Sequence, residues 1–377
     1  MNNEQDLIQI RRQLHQMPEL ELNTKKTADF IEAHLPDSFE IFRPLPNAVC
    51  AYMNADSDFT LAFRADMDAL PITETTDFDW KANGNTMHAC GHDAHMTMLL
   101  GFAFWLEGWM KEHGTPNINV LLVFQPGEEK PGGAAKILET GLFETYKVNE
   151  IYGMHVMPGM KAGDLATKPG PLMAGGSDLN VTFIGKSAHQ ANPELGINAL
   201  EAACRFVERT LKEERAAFGP DTFHILGYGH LESGSVFNII PEKAMLEGTI
   251  RYYDPAVFET ICSILQANGK RLEEEMGVRF SMEIRVHYPP VLNDETLVKT
   301  LMEGNNDVAL LDKPKMICED FAFYQRKVPG VFMFIGTGKD ISLHSDHFDL
   351  DESLLEKGVE NYIHLFEMKN SAHGNGN

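Results

Sequence analysis

At 377 residues the chain is long enough for more than one hydrophobic core. Its net charge of -23 argues against a nucleic-acid or anionic-membrane surface, because phosphate binding needs clustered Lys and Arg. The opening stretch MNNEQDLIQIRRQLHQM carries charges where a signal peptide needs an apolar core, and no apolar run reaches the roughly 18 residues of a membrane span. The five cysteines are odd in number and scattered, so reduced thiols in a cytoplasm are expected.

Leu7, Ile10 and Leu14, followed by Phe30 and Ile31, predict an amphipathic helix over 4–34 that Pro18 interrupts. Apolar runs at 60–65, 118–124, 150–156 and 330–336 read as buried strands of the parallel-sheet kind, with helical patterns at 96–113 and 132–143 between them. This alternation predicts an α/β domain, a mostly parallel sheet with helices on both faces. Near Gly175-Gly176 the pattern changes. Residues 177–189 alternate like a half-exposed strand, then come a helix (195–217), strands (223–231 and 244–253), a helix (255–276) and a strand (279–288). That order, β-α-β-β-α-β, is the ferredoxin-like unit. The expected organisation is therefore an α/β domain from 1–176 and 289–377, with 177–288 inserted as an α+β domain. The polar tail NSAHGNGN is expected to fray.

HACGHDAHM (88–96) packs three histidines, a cysteine and an aspartate into nine positions next to an apolar helix. Thiolate and imidazole two residues apart suit Zn²⁺ or a neighbouring divalent ion, although the spacing is no standard zinc-finger pattern. Glu128-Glu129 follow a buried strand on a turn rich in Gly and Pro; one carboxylate can ligate an ion while the other handles protons. His155 ends a further strand, and His344 and His347 follow another. In a parallel sheet such strand ends converge on one crevice.

Nine ordered blocks, spanning nearly the whole chain, resemble the M20 metallopeptidases. The blocks are RRQLHQMPEL, FRADMDALPI, MHACGHDAHM, FQPGEEKPGGA, GMHV, GKSAHQANPELGINAL, NIIPEKAMLEGTIR, CEDFAFY and LHSDHF. The branch they resemble is that of N-acyl-amino-acid amidohydrolases, which includes hippurate hydrolases, auxin-conjugate hydrolases and N-acetyldiaminopimelate deacetylases. The resemblance implies hydrolysis of the amide of an N-acyl, in the first place N-acetyl, amino acid. It also implies two divalent ions, Zn²⁺ or Mn²⁺ with Co²⁺ or Ni²⁺ as substitutes, held by Cys90, His92, Glu129, His155 and His344. Cys90 would bridge them. Glu128 matches the general base acting on a metal-bridging water, and Asp68 a carboxylate standing behind the ligands. His189 matches a histidine that reaches the partner subunit's active site in a homodimer formed through the inserted lid domain. Asn238 and Arg251 resemble residues that meet the substrate's carboxylate.

The departures are small. Ser187 stands where many relatives have Gly, Gln190-Ala191-Asn192 where small residues and His are commoner, and Gly127 where Ala is usual. His88, His95 and His347 fall outside the implied ligand set, as donors behind it or as packing, and His15 is expected to be structural. Two other classes compete: a cysteine-nucleophile amidase using Cys90 with His92, and a non-catalytic binding module on the same fold.

Overall fold

A computed structural model describes residues 4–304 and 307–374 of the chain. Its contacts divide it into two units, one within Met1–Leu172, Leu292–Pro314 and Asp320–Asn377, the other comprising Met173–Val291 and Lys315–Glu319. The short strip Lys315–Glu319 thus groups with the smaller unit, because Ala174 donates its N–H to the carbonyls of Lys315 and Ile317.

The larger unit opens with α1 (Glu4–His15) and α2 (Lys25–His34). These replace the single interrupted helix expected over 4–34. Between them the chain leaves helical geometry to bridge Leu20 to Ala69, with Ala69 N–H on the Glu19 carbonyl. Then follow β1 (Glu40–Phe42), β2 (Val49–Met53), β3 (Thr60–Asp66), α3 (His92–His113) and β4 (Asn119–Gln125). The pattern over 132–143 yields α4 (Gly133–Glu139) and α5 (Leu142–Thr145), separated by Gly141 in the left-handed region at φ 73°. The chain continues through β5 (Val148–Met157), β6 (Leu165–Thr167) and β7 (Gly170–Met173).

The smaller unit contains β8 (Gly175–Ile184), β9 (Ala188–His189), α6 (Ala199–Ala217), β10 (His224–Ser233), β11 (Ile239–Ile240), β12 (Lys243–Tyr252), α7 (Pro255–Met276) and β13 (Arg279–Tyr288). The expected strand over 177–189 ends at Ile184, and its last residues turn into β9, which pairs antiparallel with β11. The four long strands form an antiparallel sheet in the order β10-β12-β8-β13, the ferredoxin-like arrangement. Apolar residues of α6 and α7 pack with Leu179, Val181, Phe183 and Leu246 of the sheet. The bounds of α7 follow from its caps: Asp254 accepts the Ala256 N–H, Pro255 opens the helix, and Gly277 closes it at φ 72°.

The chain then adds β14 (Val291–Asn293), α8 (Glu295–Gly304), β15 (Val308–Leu310), α9 (Ala322–Gln325), β16 (Gly330–Gly336) and α10 (Leu354–Gly374). The tail expected to fray is helical through Gly374, tied to the body by Asn117, whose N–H reaches Asn370 Oδ1 at 2.6 Å and whose side-chain amide reaches the Asn370 carbonyl at 3.0 Å; its last three residues lie outside the described ones. The main sheet runs β1-β2-β4-β3-β5-β16-β6-β15. Its centre, β4-β3-β5-β16, is parallel throughout, and β3, β4 and β16 are buried along their whole length. Every residue of α3 from His92 to Ala103 is buried too, so its polar first turn lies inside the fold.

Candidate metal centre

Because β4, β3, β5 and β16 are parallel, their carboxyl ends lie on one edge of the sheet, where α/β proteins build their sites. Asp68 follows β3, Glu128-Glu129 follow β4, and His155 lies near the end of β5. Cys90 and His92 flank the start of α3. Gly91 between them has φ 79°, and a Cβ there would sit 2.5 Å from Val156 Cγ2, so only glycine lets this turn close on β5. His344 is held in the left-handed region at φ 63°, its N–H on the Ala89 carbonyl at 2.9 Å. Such backbone strain in a non-glycine residue clusters at functional sites.

These segments converge. Cys90 Sγ lies 3.4 Å from His155 Nε2 and 3.3 Å from His344 Nε2. His344 Nε2 is 3.2 Å from Glu129 Oε1, and His92 Nε2 is 3.9 Å from Glu128 Oε2. The other ring nitrogens are committed: His92 Nδ1 donates to the Asp68 carbonyl at 2.8 Å, and His155 Nδ1 to the Val156 carbonyl at 2.7 Å. Both histidines therefore turn Nε2 toward the cluster. The Asp68 carboxylate accepts the N–H groups of Glu128 at 2.9 Å and Glu129 at 3.1 Å, which pins the turn carrying both glutamates.

Three overlapping triads, Cys90/His92/His155, Cys90/Glu129/His344 and His92/Glu128/Glu129, each have ligand atoms within 4.8 Å of one another. Cys90 belongs to two of them. His92 Nε2 is buried and makes no hydrogen bond. Cysteine, imidazole and carboxylate donors with a buried imidazole nitrogen that makes no hydrogen bond fit divalent ions of the Zn²⁺ and Mn²⁺ series. A fourth triad, Asp66/His92/His95, differs in that its donors are already committed: Asp66 and His95 bond each other at 2.6 Å and His95 Nε2 takes the Val156 N–H at 2.9 Å.

The electrostatics favour a cation. Burial disfavours a charged His92 ring, yet the Asp66, Asp68 and Glu129 carboxylates outweigh it and push its pKa up to about 10. Burial, then Glu129, Glu128 and Asp66, hold the Cys90 thiol well above the ordinary thiol range. Burial raises the Asp68 carboxyl against the pull of His92. It also works against the Glu129 charge, which His344 and His92 restore, keeping that carboxyl below its ordinary value. His155 is kept neutral, by burial first and by its histidine neighbours second.

In the smaller unit, β9 and β11 bring His189 and Asn238 together: His189 is in register with Ile239, and Gln190 N–H reaches the Asn238 carbonyl at 3.0 Å. His189 is exposed, and its Nδ1 accepts the Ala191 N–H at 3.0 Å, so its proton sits on Nε2 as a donor to solvent. Arg251, on β12, is half-buried and donates to the Ile250 carbonyl at 3.0 Å and to Thr249 Oγ1.

Two buried networks behind the cluster escape a motif reading. In the first, Arg64 bonds Asp66 and Asp320, each at 2.7 Å, and Asp66 bonds His95. In the second, Asp93 takes Arg11 Nε at 3.1 Å and His15 Nδ1 at 2.9 Å, while His15 Nε2 reaches Glu74 at 3.1 Å. Charged residues inside the apolar strand TLAFRAD are the sequence signal for the first; the second joins segments far apart in the chain. His88 is buried with both ring nitrogens free of hydrogen bonds, and burial pushes its pKa down to about 3. His347 is exposed beside Asp346 and Ser345.

A thiol, histidine and glutamate donor set at the carboxyl edge of a parallel sheet suits a metal-dependent enzyme, and the family match makes the class a metal-dependent amidohydrolase. The chain belongs to peptidase family M20/M25/M40, whose family model matches residues 62–368. It is 33% identical to the N-acetyldiaminopimelate deacetylase of Lacticaseibacillus paracasei over 97% of this chain and 98% of that one. It is 34% identical to the enzyme of that name from Oenococcus oeni, over 96% and 97%. Among solved structures it resembles the Bacillus subtilis YXEP protein, described as a dinuclear metal binding peptidase from the M20 family. That match has a TM-score of 0.83 and 28% identity, and covers 98% of each chain. No helix among the described residues is long and apolar enough to cross a membrane.

Proposed function

We propose that the protein removes the acyl group, in the first place acetyl, from an N-acyl amino acid, giving a carboxylate and the free amino acid. The observation that carries this reading is the position of Cys90 Sγ, 3.4 Å from His155 and 3.3 Å from His344, shared by two donor triads. Cys90, His92, Glu129, His155 and His344 would hold two divalent ions, Zn²⁺ or Mn²⁺ with Co²⁺ or Ni²⁺ as substitutes. The ions, when bound, supply the Lewis acidity that makes a water nucleophilic at neutral pH. Glu128 faces the same space as His92 Nε2 and is not needed to complete either Cys90 triad. Its carboxylate takes the water's proton as the water oxygen bonds to the acyl carbon. It then passes that proton to the leaving nitrogen as the amide C–N bond breaks. Asp68 holds the Glu128-Glu129 turn and the His92 ring in place.

His189, with its proton on Nε2, is suited to donate to the developing oxyanion, and Asn238 and Arg251 to meet the substrate's carboxylate. We assign the smaller unit, over 177–288, the part of lid and homodimer interface. Its supporting features are the β10 edge strand and the exposed Ile225 and Leu231 upon it. Five unpaired cysteines suit a cytoplasmic setting. A Cys90 nucleophile is opposed by its surroundings, since burial first, and then three carboxylates, disfavour the free thiolate.

The test is amine release from a panel of N-acyl amino acids by metal-reconstituted protein. Chelation should abolish turnover, and added Zn²⁺ or Mn²⁺ should restore it. Activity that survives chelation and is blocked by thiol alkylation would hand the chemistry to Cys90.

A further inference from the structure

His95 is one turn along α3 from His92 and belongs to none of the three donor triads. It is nonetheless fully used. Nδ1 bonds Asp66 Oδ1 at 2.6 Å, and the other Asp66 oxygen takes Arg64 Nη1 at 2.7 Å. Nε2 accepts the Val156 N–H at 2.9 Å, which fixes the proton on Nδ1. The carbonyl of the same residue, on the next peptide unit, receives His155 Nδ1 at 2.7 Å.

The need for this bond follows from the sheet. The β3–β5 ladder ends at the Arg64–Gly153 pair, while β5 runs on to Met157. Past that point β5 has no strand on its β3 side, and the buried Val156 N–H would be left without an acceptor. The His95 ring supplies one. It also packs against both neighbouring imidazoles, with centroids 4.7 Å from His155 and 5.5 Å from His92.

We propose that His95, oriented by Asp66, is a positioning residue that fixes the His155 imidazole through the backbone of Val156, whose N–H it accepts and whose carbonyl takes His155 Nδ1, and so sets the affinity of the ion His155 holds. This rests on the ion site proposed above. A metal-ligating histidine depends on the partner of its other ring nitrogen, and losing such a partner costs about 10–100-fold in metal affinity or activity. Here that partner is a backbone carbonyl, so the dependence moves one step further, to whatever holds the backbone of Val156.

The test compares His95→Asn with His95→Gln. Asn places its amide near the position of Nδ1; it keeps a donor to Asp66 and is too short for Val156. Gln places its amide oxygen near the position of Nε2 and can still accept the Val156 N–H. Both are polar and similar in cost to the fold, which thermal melting of the metal-free proteins checks. The probe is Co²⁺ alone, followed by chelator competition and by its visible ligand-field bands. His95→Asn should bind one Co²⁺ about 10–100-fold more weakly with altered bands, and His95→Gln should stay close to wild type. If the two variants bind equally well, or are equally impaired, the Val156 link has no positioning role. If wild type takes up no divalent ion, the metal reading and this proposal fall together. If wild type binds ions and hydrolyses no N-acyl amino acid, the substrate reading falls and the binding comparison still decides His95.

Discussion

In the larger unit, Asp66, Asp68, His92, His95, Glu128 and His155 are all buried, and the backbone and side chains around them fix the orientation of each ring. In the smaller unit, His189 lies exposed on a two-residue strand, near Phe237, which is 95% exposed. Burial of so many ionisable groups is costly unless an ion or a proton balances them. An exposed donor on a short ribbon costs little and orders little by itself. The first region is built to hold something before substrate arrives. The second is built to meet something that comes from outside it. Substitutions of the proposed ligands in the first should therefore change metal content, and those in the second should change turnover alone.

The largest effect is expected at Cys90. Cys90→Ala removes a donor common to two triads, so metal content by elemental analysis and turnover should fall together, by more than the about 10–100-fold that losing a supporting partner costs. Cys90→Asp should retain more of both, because a carboxylate can also bridge. Full activity in a metal-free Cys90→Asp protein would break the comparison at its root.

Glu128→Gln sharpens it from inside the buried region. If Glu128 moves protons and holds no ion, the variant should keep its metals and lose on the order of 10²–10⁴ in kcat. Metal loss in parallel would place Glu128 among the ligands.

His189→Ala tests the exposed region. It should leave the ions bound and slow turnover roughly 10²–10³-fold, the usual effect of losing one oxyanion donor. Mixing this variant with Glu128→Gln separates the two ways the histidine could act. If it serves the partner's site, a mixed dimer has one site with both defects and one with neither, and activity returns. Heterodimers that form without recovery would show that each chain uses its own His189, or none.

The smallest effect on chemistry is expected at His15, whose role is to hold α1 and the Glu74 segment to the start of α3. Burial opposes charge on His15, but Asp93 and Glu74 outweigh it and raise its pKa, against the lowering effect of Arg11. His88 lies close by, with ring centroids 6.3 Å apart. A folded-state value above the unfolded one means the stabilisation is complete below the unfolded value, near 6.5, and fades as pH rises through the folded value. His15→Gln should cost about 1.5–3 kcal/mol at acid-side pH, the range for hydrogen bonds to charged groups. The deficit measured by denaturant titration should shrink as pH rises, with turnover per bound metal unchanged. A deficit that grows with pH would mean His15 acts as a neutral ring.

Legibility tracked the range of the physical cause. The run GVFMFIG and the helix 255–276 were readable to the residue, since burial along a whole strand and the Asp254, Pro255 and Gly277 caps are local. The start of α3 was read four residues late, because its polar first turn is helical only through its burial against distant parts of the chain. The same holds for the tail, whose helix is held by Asn117 bonding Asn370 and by the Phe59 ring against His373.

For the site, the sequence by itself determined the inventory: a thiol and an imidazole two residues apart, paired glutamates after a buried strand, and histidines after two more. Which of the histidines turns a lone pair into the cluster was decided only by tertiary structure. His88, His92 and His95 lie within eight residues and share one residue type. His92 faces the cluster because the Asp68 carbonyl takes its other nitrogen, His95 turns away because Asp66 and Val156 take both of its nitrogens, and His88 is left with no partner. A ring's orientation is set by the groups that meet its two nitrogens. Here those groups come from segments 24 to 61 residues away in the chain, beyond the reach of any local pattern.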